Sequence, residues 1–192
     1  MPHLGGGYWP EEVLRHAGFR SLGREVRVHQ RASLYCVENI SLGDRVRIDD
    51  FALVVATGFL TMGRHAYAAN YCYLGATAGI TLEDYVTLAP GVRIFTSSED
   101  YSGTFMTNPT MPANVLGRIQ APVVLRRHAI VGSNSVILPG CELGEGAAVG
   151  ALSLVRESLE PWGIYAGVPA RRIGERKQDL LQLERQLMGE GS

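Results

Sequence analysis

Apolar residues recur along this chain in steps of six, grouped in threes, between residues 22 and 155. The positions are Leu22, Val28, Leu34, Leu42, Ile48, Val54, Met62, Ala68, Leu74, Leu82, Leu88, Ile94, Leu125, Val131, Ile137, Leu143, Val149 and Val155. A second position, four residues after each, is small or apolar everywhere except at Glu38. A helix repeats every 3.6 residues and cannot place such a series on one face. The pattern therefore predicts a solenoid.

Each step predicts one short strand and a corner, and three steps predict one triangular turn of about 18 residues. The groups that begin at residues 22, 42, 62 and 82 lie 20 residues apart, so we expect one widened corner in these turns. One turn cannot bury its own apolar face, and neighbouring turns supply the core by stacking about 4.8 Å apart. Six turns fit between residues 22 and 156, so the sequence predicts an all-β solenoid of about six turns.

The two ends of the chain have helical patterns. Pro10 suits the first position of a helix, and Glu11 and Glu12 suit its positive end. Leucines near the C-terminus, at 180, 183 and 187, form a helical stripe. We therefore predict a helical segment over 1–21, a solenoid over 22–173 with an extended loop at 100–123, and a C-terminal helix within 174–192.

Composition narrows the functional classes. The net charge of −1 offers no basic face, so we expect no nucleic-acid partner. No segment has the pattern of a signal peptide or the apolar length of a membrane span. Cys36, Cys72 and Cys141 lack the spacing of a metal or redox site. We therefore expect small core cysteines in a cytoplasmic protein that binds no metal.

The segment over residues 147–173 reads AAVGALSLVRESLEPWGIYAGVPARRI. With the six-residue repeat, it resembles the left-handed β-helix acyltransferases of the hexapeptide-repeat superfamily. The stretches SEDYSGTFMTNPTMP and EPWGIYAGVPA are similar to small sugar acetyltransferases of bacterial surface-polysaccharide (O-antigen) pathways, including nucleotide-linked amino-sugar N-acetyltransferases. The resemblance implies a left-handed parallel β-helix, acetyl-CoA as co-substrate, and a homotrimer with each active site in a groove between two chains.

The resemblance also implies where acetyl-CoA would bind. Small residues in successive turns would let the pantetheine arm approach the backbone, and an Arg fork suits a phosphate at the nucleotide end. The cofactor candidates are Ser133, Gly150 and Ala151 for the arm and, for the nucleotide end, Arg171, Arg172, Arg156 and Lys177.

The sequence leaves the identity of the general base open among several residues. Sugar O-acetyltransferases of this superfamily place a His in the loop that matches residues 95–101, and this chain has no His there. Either Glu99 or Asp100 takes that place, or the nucleophile is an amine that arrives neutral and requires little base. We favour the amine. His65 and His128, each at a predicted corner, are the other candidates for the base.

The acceptor candidates are Asn70, Tyr71 and Tyr101. Asn70 occupies the turn in which galactoside-type acetyltransferases carry an Asn that contacts the sugar, and the two tyrosines are candidates for stacking on a sugar or base. The interruption over about 100–122 is too long for a simple connection. We expect it to reach over a neighbouring chain and to wall the acceptor pocket.

Four functions compete. The favoured one is acetyl-CoA-dependent N-acetylation of an amino sugar, with a nucleotide-linked acceptor. The first alternative is O-acetylation of a sugar hydroxyl, and the second is a scaffold without catalysis, which the AGVPARRI tail and the long interruption argue against. A γ-type carbonic anhydrase requires three zinc-binding His with two close in sequence, and His65 and His128 are isolated.

Overall fold

Three stacks of short parallel strands form the faces of the molecule, whose computed structural model describes residues 6–189. The first sheet contains Ser21–Leu22, Ile40–Leu42, Leu60–Met62, Ile80–Leu82, Val123–Leu125 and Glu142–Leu143. The second contains Arg27–Val28, Arg47–Ile48, Tyr67–Ala68, Thr87–Leu88, Ile130–Val131, Ala148–Val149, Gly163–Ala166 and the antiparallel Arg171–Glu175. The third contains Ser33–Tyr35, Leu53–Val55, Tyr73–Gly75, Arg93–Phe95, Val136–Ile137 and Leu154–Val155. This architecture is a β-solenoid, as the sequence predicts.

Equivalent positions of the repeat stack directly on one another. In the first sheet, Leu42 pairs with Met62, Met62 with Leu82, and Leu82 with Leu125. Sixteen of the eighteen predicted inward residues are buried, and only Leu22 and Leu34, in the first turn, are partly exposed. The periodicity therefore predicts the core correctly, because a one-residue slip would turn every inward side chain outward.

The solenoid has about seven turns rather than the predicted six. Leu159 bridges to Leu143, and the strand Gly163–Ala166 continues the second sheet beyond Ala148–Val149. The sequence count misses this last, partial turn because the six-residue step after Val155 falls on Pro161, which lies outside any strand.

The corners form three edges that run along the solenoid. The histidine edge joins the first sheet to the second and carries Glu25, Arg45, His65, Tyr85, His128 and Trp162, all with positive φ. The asparagine edge joins the second sheet to the third and carries Asn70 beside the positive-φ residues Phe51, Tyr71, Asn134 and Leu152. The arm edge joins the third sheet to the first. Left-handed backbone is uncommon for residues other than Gly, so its recurrence marks a turn that the stacked sheets impose.

The two helices lie at the ends of the chain. The first helix, α1 (Glu11–His16), packs the buried Leu14 against the first turn. The second helix, α2 (Leu180–Leu187), folds back onto the histidine edge. Near α1, the Tyr8 hydroxyl donates to the buried Asp49 at 2.7 Å and so fastens the N-terminal segment to the second sheet. Among the described residues, no helix has the length and apolar character that crossing a bilayer requires.

A long arm replaces one corner of the arm edge between Phe95 and Val123. Its neck is an antiparallel ribbon of Ser97–Glu99 and Arg118–Gln120, and a 3-10 turn, Ala113–Val115, lies further out. Buried Thr96 anchors the neck, because its hydroxyl donates to the Gly75 carbonyl at 2.7 Å and accepts the Ala78 N–H at 2.9 Å. The arm therefore leaves the solenoid in a fixed direction.

Stacking of inward leucines should dominate stability. We expect Leu88→Ala, at a position with no solvent exposure, to lower the free energy of unfolding by about 2–5 kcal/mol because it leaves a cavity. Leu183→Ala, at a position of α2 that is 64% exposed, should change it by less than about 0.5 kcal/mol. Urea unfolding monitored by circular dichroism measures both, and equal losses would contradict the assignment of the core.

Candidate active site

The asparagine edge gathers five of the predicted ligand-binding residues. The Asn70 carbonyl accepts the Gly91 N–H at 3.0 Å, and the Ser133 carbonyl accepts the Leu152 N–H at 2.9 Å. These bonds link successive turns along one line. The residues on or beside that line are Asn70, Tyr71, Ser133, Gly150 and Ala151. The acceptor-side and cofactor-side candidates therefore lie in different turns of the same edge.

Aromatic rings cover the asparagine edge next to Asn70. Tyr71 stacks on Phe51, with ring centroids 5.1 Å apart and an interplanar angle of 10°. The Arg31 guanidinium lies 4.6 Å from the centroid of the Phe51 ring, a cation–π contact that caps the stack. Tyr71 is largely exposed, so it offers an aromatic surface beside Asn70.

The part of the asparagine edge that carries the cofactor candidates has small residues at Gly150 and Ala151. The Gly150 carbonyl accepts hydrogen bonds from the buried hydroxyls of Ser135 and Ser153, at 2.9 and 2.8 Å. The Gly150 carbonyl is therefore hydrogen-bonded to side chains in the interior of the solenoid. Gly150 has no side chain and Ala151 has only a methyl group, so an extended ligand can approach the backbone at these two positions, beside the exposed Leu152.

The predicted cationic residues mostly lie together at the C-terminal end. Arg156, Arg171 and Arg172 line one cavity, with Tyr165 at its buried wall. Arg156 lies 3.3 Å from the Glu157 carboxylate, and Arg172 pairs with Glu175. Lys177 is exposed and is not among the residues that line the cavity.

The predicted histidines lie on the histidine edge, where they form an aromatic column with Tyr85. His65 stacks on Tyr85 with centroids 5.2 Å apart, and Tyr85 stacks on His128 at 4.9 Å. The interplanar angles are 10° and 9°. Within one chain, neither histidine is on the edge that carries Asn70.

Helix α2 covers this column through one carboxylate. Glu184 is buried, lies 2.8 Å from the His128 Nε2 and forms an ion pair with Arg127. Desolvation opposes the charge of Glu184, but the hydrogen bonds from Arg127 and His128 outweigh it and hold the pKa of Glu184 below its ordinary value. One imidazole nitrogen of His128 is therefore already engaged inside its own chain.

The two predicted carboxylates of the arm differ in environment. Asp100 accepts hydrogen bonds from the Ser102 hydroxyl at 2.8 Å and from the Phe105 N–H at 3.2 Å. The bonds from Ser102 are the main reason why the pKa of Asp100 lies below its ordinary value. Asp100 thus holds a local turn, an environment unlike that of a general base, which requires a raised pKa near neutral pH.

Glu99 has one free oxygen. Its Oε1 lies 3.3 Å from the Arg118 Nε, whereas its buried Oε2 has no hydrogen-bond partner among residues 6–189. A buried carboxylate oxygen without a donor is costly and is expected where a ligand supplies the donor. Further along the arm, Tyr101 is 92% exposed.

Two residues of this arrangement escape sequence reasoning. Arg118 is the cross-strand partner of Glu99, and Glu184 holds His128 from 56 residues away. The opposite charges of Glu99 and Arg118, near the two ends of the interruption, are a weak sequence signal for their pairing. No sequence signal identifies the contact between His128 and Glu184. Within residues 6–189, no group of three or more His, Cys, Asp and Glu side chains is arranged to hold a metal ion.

Comparison with known proteins identifies the family. The chain is 38% identical to an Escherichia coli dTDP-4-amino-4,6-dideoxy-D-glucose acyltransferase over 178 residues, which cover 92% of this chain and 93% of the relative. The chain belongs to this family of acyltransferases. No family model matches the sequence. The fold also matches a crystal structure of AntD, an N-acyltransferase from Bacillus cereus, in complex with dTDP and 3-hydroxybutyryl-CoA. The TM-score is 0.92 at 35% identity, with 97% of this chain and 98% of AntD covered.

An O-acetyltransferase is also among the relatives of this chain. The putative lipopolysaccharide biosynthesis O-acetyl transferase WbbJ of Escherichia coli K12 is 27% identical over 141 residues, which cover 71% of this chain and 68% of WbbJ. The resemblance to sugar acyltransferases is therefore confirmed, and the protein is a CoA-dependent acyltransferase.

The charge of Glu184 should stabilise the protein in a pH-dependent way. A carboxylate whose pKa is lowered by folding stabilises the folded state above its ordinary pKa, and the effect is lost as pH falls through the folded pKa. We expect Glu184→Gln to lower the free energy of unfolding by about 1–3 kcal/mol at pH 7, with the difference shrinking below about pH 4. Urea unfolding at several pH values measures it, with Glu11→Gln at an exposed pair as control. A difference that persists unchanged at pH 3 would contradict the ion-pair account.

Proposed function

We propose that the protein transfers the acetyl group of acetyl-CoA to the amine of a nucleotide-linked amino sugar, with dTDP-4-amino-4,6-dideoxyglucose as the first candidate acceptor. The Escherichia coli relative that matches 92% of this chain carries that sugar in its name. The observation that carries the proposal is the free Oε2 of Glu99 at the neck of the arm, where O-acetyltransferases of the superfamily place a His. The product would serve bacterial surface-polysaccharide synthesis.

The chemistry follows from a neutral amine. The sugar nitrogen attacks the thioester carbonyl, a C–N bond forms and the C–S bond breaks. The nitrogen loses a proton and the CoA sulfur gains one, so the transfer needs no metal or oxidant. The Glu99 Oε2 accepts a hydrogen bond from the amine, orients its lone pair, and takes the proton as the nitrogen becomes positive. In this scheme Glu99 is the base, and Asp100 shapes the turn beyond it.

The geometry supports an active site between chains. Asn70 and Tyr71 lie on the asparagine edge, Glu99 lies on the arm edge, and His65 and His128 lie on the histidine edge. The body of the solenoid separates these edges within one chain. A site that uses Asn70 and Glu99 together therefore takes them from two chains, in a homotrimer whose arms reach over neighbouring chains. Tyr101, exposed on the arm, would then contact the acceptor bound beside a neighbour.

The proposed cofactor site uses the C-terminal half of the asparagine edge. Acetyl-CoA would place its pantetheine arm along Ser133, Gly150 and Ala151, where small residues expose the backbone. Its phosphates would lie toward Arg171 and Arg172, with Arg156 in the same cavity and Lys177 nearby in sequence. The three described cysteines are free thiols, which suits the reducing cytoplasm where we place the reaction.

O-acetylation is the second candidate function. The similarity to WbbJ favours it, and so does the presence of two histidines on one edge. In that case His65, which has no ion-pair partner among the described residues, would be the better base. His128 already contacts Glu184.

The two functions differ in the acceptor atom. Thiol release from acetyl-CoA should be fast with dTDP-4-amino-4,6-dideoxyglucose and at background with the same nucleotide sugar carrying a 4-hydroxyl. A hydroxyl must lose its proton as it attacks, and the Glu99 carboxylate is a weak base for that step. Mass spectrometry of the product should show one added acetyl group on the amine. Turnover of the hydroxyl sugar alone would contradict N-acetylation and favour the histidine edge.

Subunit mixing tests where the site lies. Asn70→Ala and Glu99→Gln chains should each be nearly inactive alone, because each damages every site. Co-expressed with different affinity tags and purified as hybrids, they should regain about one third of the wild-type sites, because one of the three interfaces in each mixed trimer pairs an intact Asn70 with an intact Glu99. Hybrids that contain both chains and remain inactive would place the two residues in one chain.

A further inference from the structure

The neck of the arm fixes the backbone of Glu99 at both ends. Ser97 pairs with Gln120, Ser98 with Ile119 and Glu99 with Arg118 in an antiparallel register. Below the ribbon, the Ala121 N–H donates to the Thr96 carbonyl at 3.1 Å, and above it the Asp100 N–H donates to the Gly117 carbonyl at 3.0 Å. With the main chain held in this way, only side-chain torsions remain to place the Glu99 carboxylate.

Arg118 restrains those torsions. Its Nε lies 3.3 Å from the Glu99 Oε1, and both side chains are about one-third exposed, at 37% and 33%. The contact engages one oxygen of the carboxylate and leaves the buried Oε2 without a hydrogen-bond partner in the part of the chain that the structure describes. A residue on the facing strand therefore restrains the position of the Glu99 carboxylate.

We propose that Arg118 is a positioning residue for acyl transfer, which acts by holding the Glu99 carboxylate so that its Oε2 faces the acceptor amine. The inference rests on the proposed role of Glu99. It assigns Arg118 no contact with the reacting atoms. Displacing a reacting group by about 1 Å can cost up to about 100-fold in rate, so loss of the restraint should affect turnover more than binding.

A double-mutant cycle tests the proposal. The variants are Arg118→Ala, Arg118→Lys, Glu99→Gln and the double variant Glu99→Gln with Arg118→Ala. Each is assayed for kcat and for the KM of both substrates, with dTDP-4-amino-4,6-dideoxyglucose and acetyl-CoA. Gln120→Ala is the matched control, because Gln120 lies on the same strand and contacts Ser97 rather than Glu99.

We expect Arg118→Ala to lower kcat roughly 10- to 100-fold, with the KM of acetyl-CoA within about twofold of wild type. Arg118→Lys should recover part of the loss, because an ammonium can still pair with Oε1. In the Glu99→Gln background, Arg118→Ala should cause little further loss, since residues that act as one unit are not additive. Gln120→Ala should have nearly wild-type kinetics.

Three results would overturn the proposal. One is a kcat of Arg118→Ala within about twofold of wild type. Another is a loss that multiplies in the double variant, which would show that Arg118 acts independently of Glu99. The third is a raised KM for the nucleotide sugar at unchanged kcat, which would make Arg118 a substrate ligand.

The same experiment separates this inference from the proposed function. If Glu99→Gln abolishes turnover and Arg118→Ala does not, only the positioning role fails. If Glu99→Gln turns over normally, the base assigned under the proposed function fails, and the positioning role fails with it. Thermal unfolding of each variant identifies any loss of activity that comes from unfolding of the arm. If Arg118→Ala does not fold, Arg118→Lys still tests the position, because it retains the positive charge.

Discussion

Register between stacked turns is the constraint on which this molecule depends. Backbone N–H and C=O groups of the strands pair with the neighbouring turns, and the inward positions have room only for apolar or small side chains. A residue's place in the turn of three six-residue steps therefore fixes its sheet, its direction and, at a corner, its edge. The chain cannot bring two edges together without leaving the solenoid.

The functional elements are the places where the chain does leave it. The arm replaces one corner and carries Glu99 on a short ribbon, and α2 returns from the C-terminus to cover the histidine edge. The asparagine edge remains within the solenoid. It contributes a surface of stacked aromatic rings at one end and small residues at the other. Fixed edges on each chain and an arm that projects outward suit a site completed by a neighbouring chain.

Periodicity predicts the core, the sheets and the edge on which each corner residue lies, because these depend on local spacing alone. Asn70, Ser133 and Ala151 accordingly share one edge, and His65 and His128 share another. The seventh turn escapes prediction where Pro161 breaks the step. The Glu99–Arg118 and His128–Glu184 contacts escape it because they depend on the register of a ribbon and on the docking of a helix, which the repeat does not encode.

The most direct measurement is a crystal structure of the protein with dTDP-4-amino-4,6-dideoxyglucose and CoA. We expect the sugar amine to lie within hydrogen-bond distance of the Glu99 Oε2 and near the CoA sulfur, with Asn70 contributed by a different chain from Glu99. An amine bound at the histidine edge, or one surrounded by residues of a single chain, would contradict this expectation.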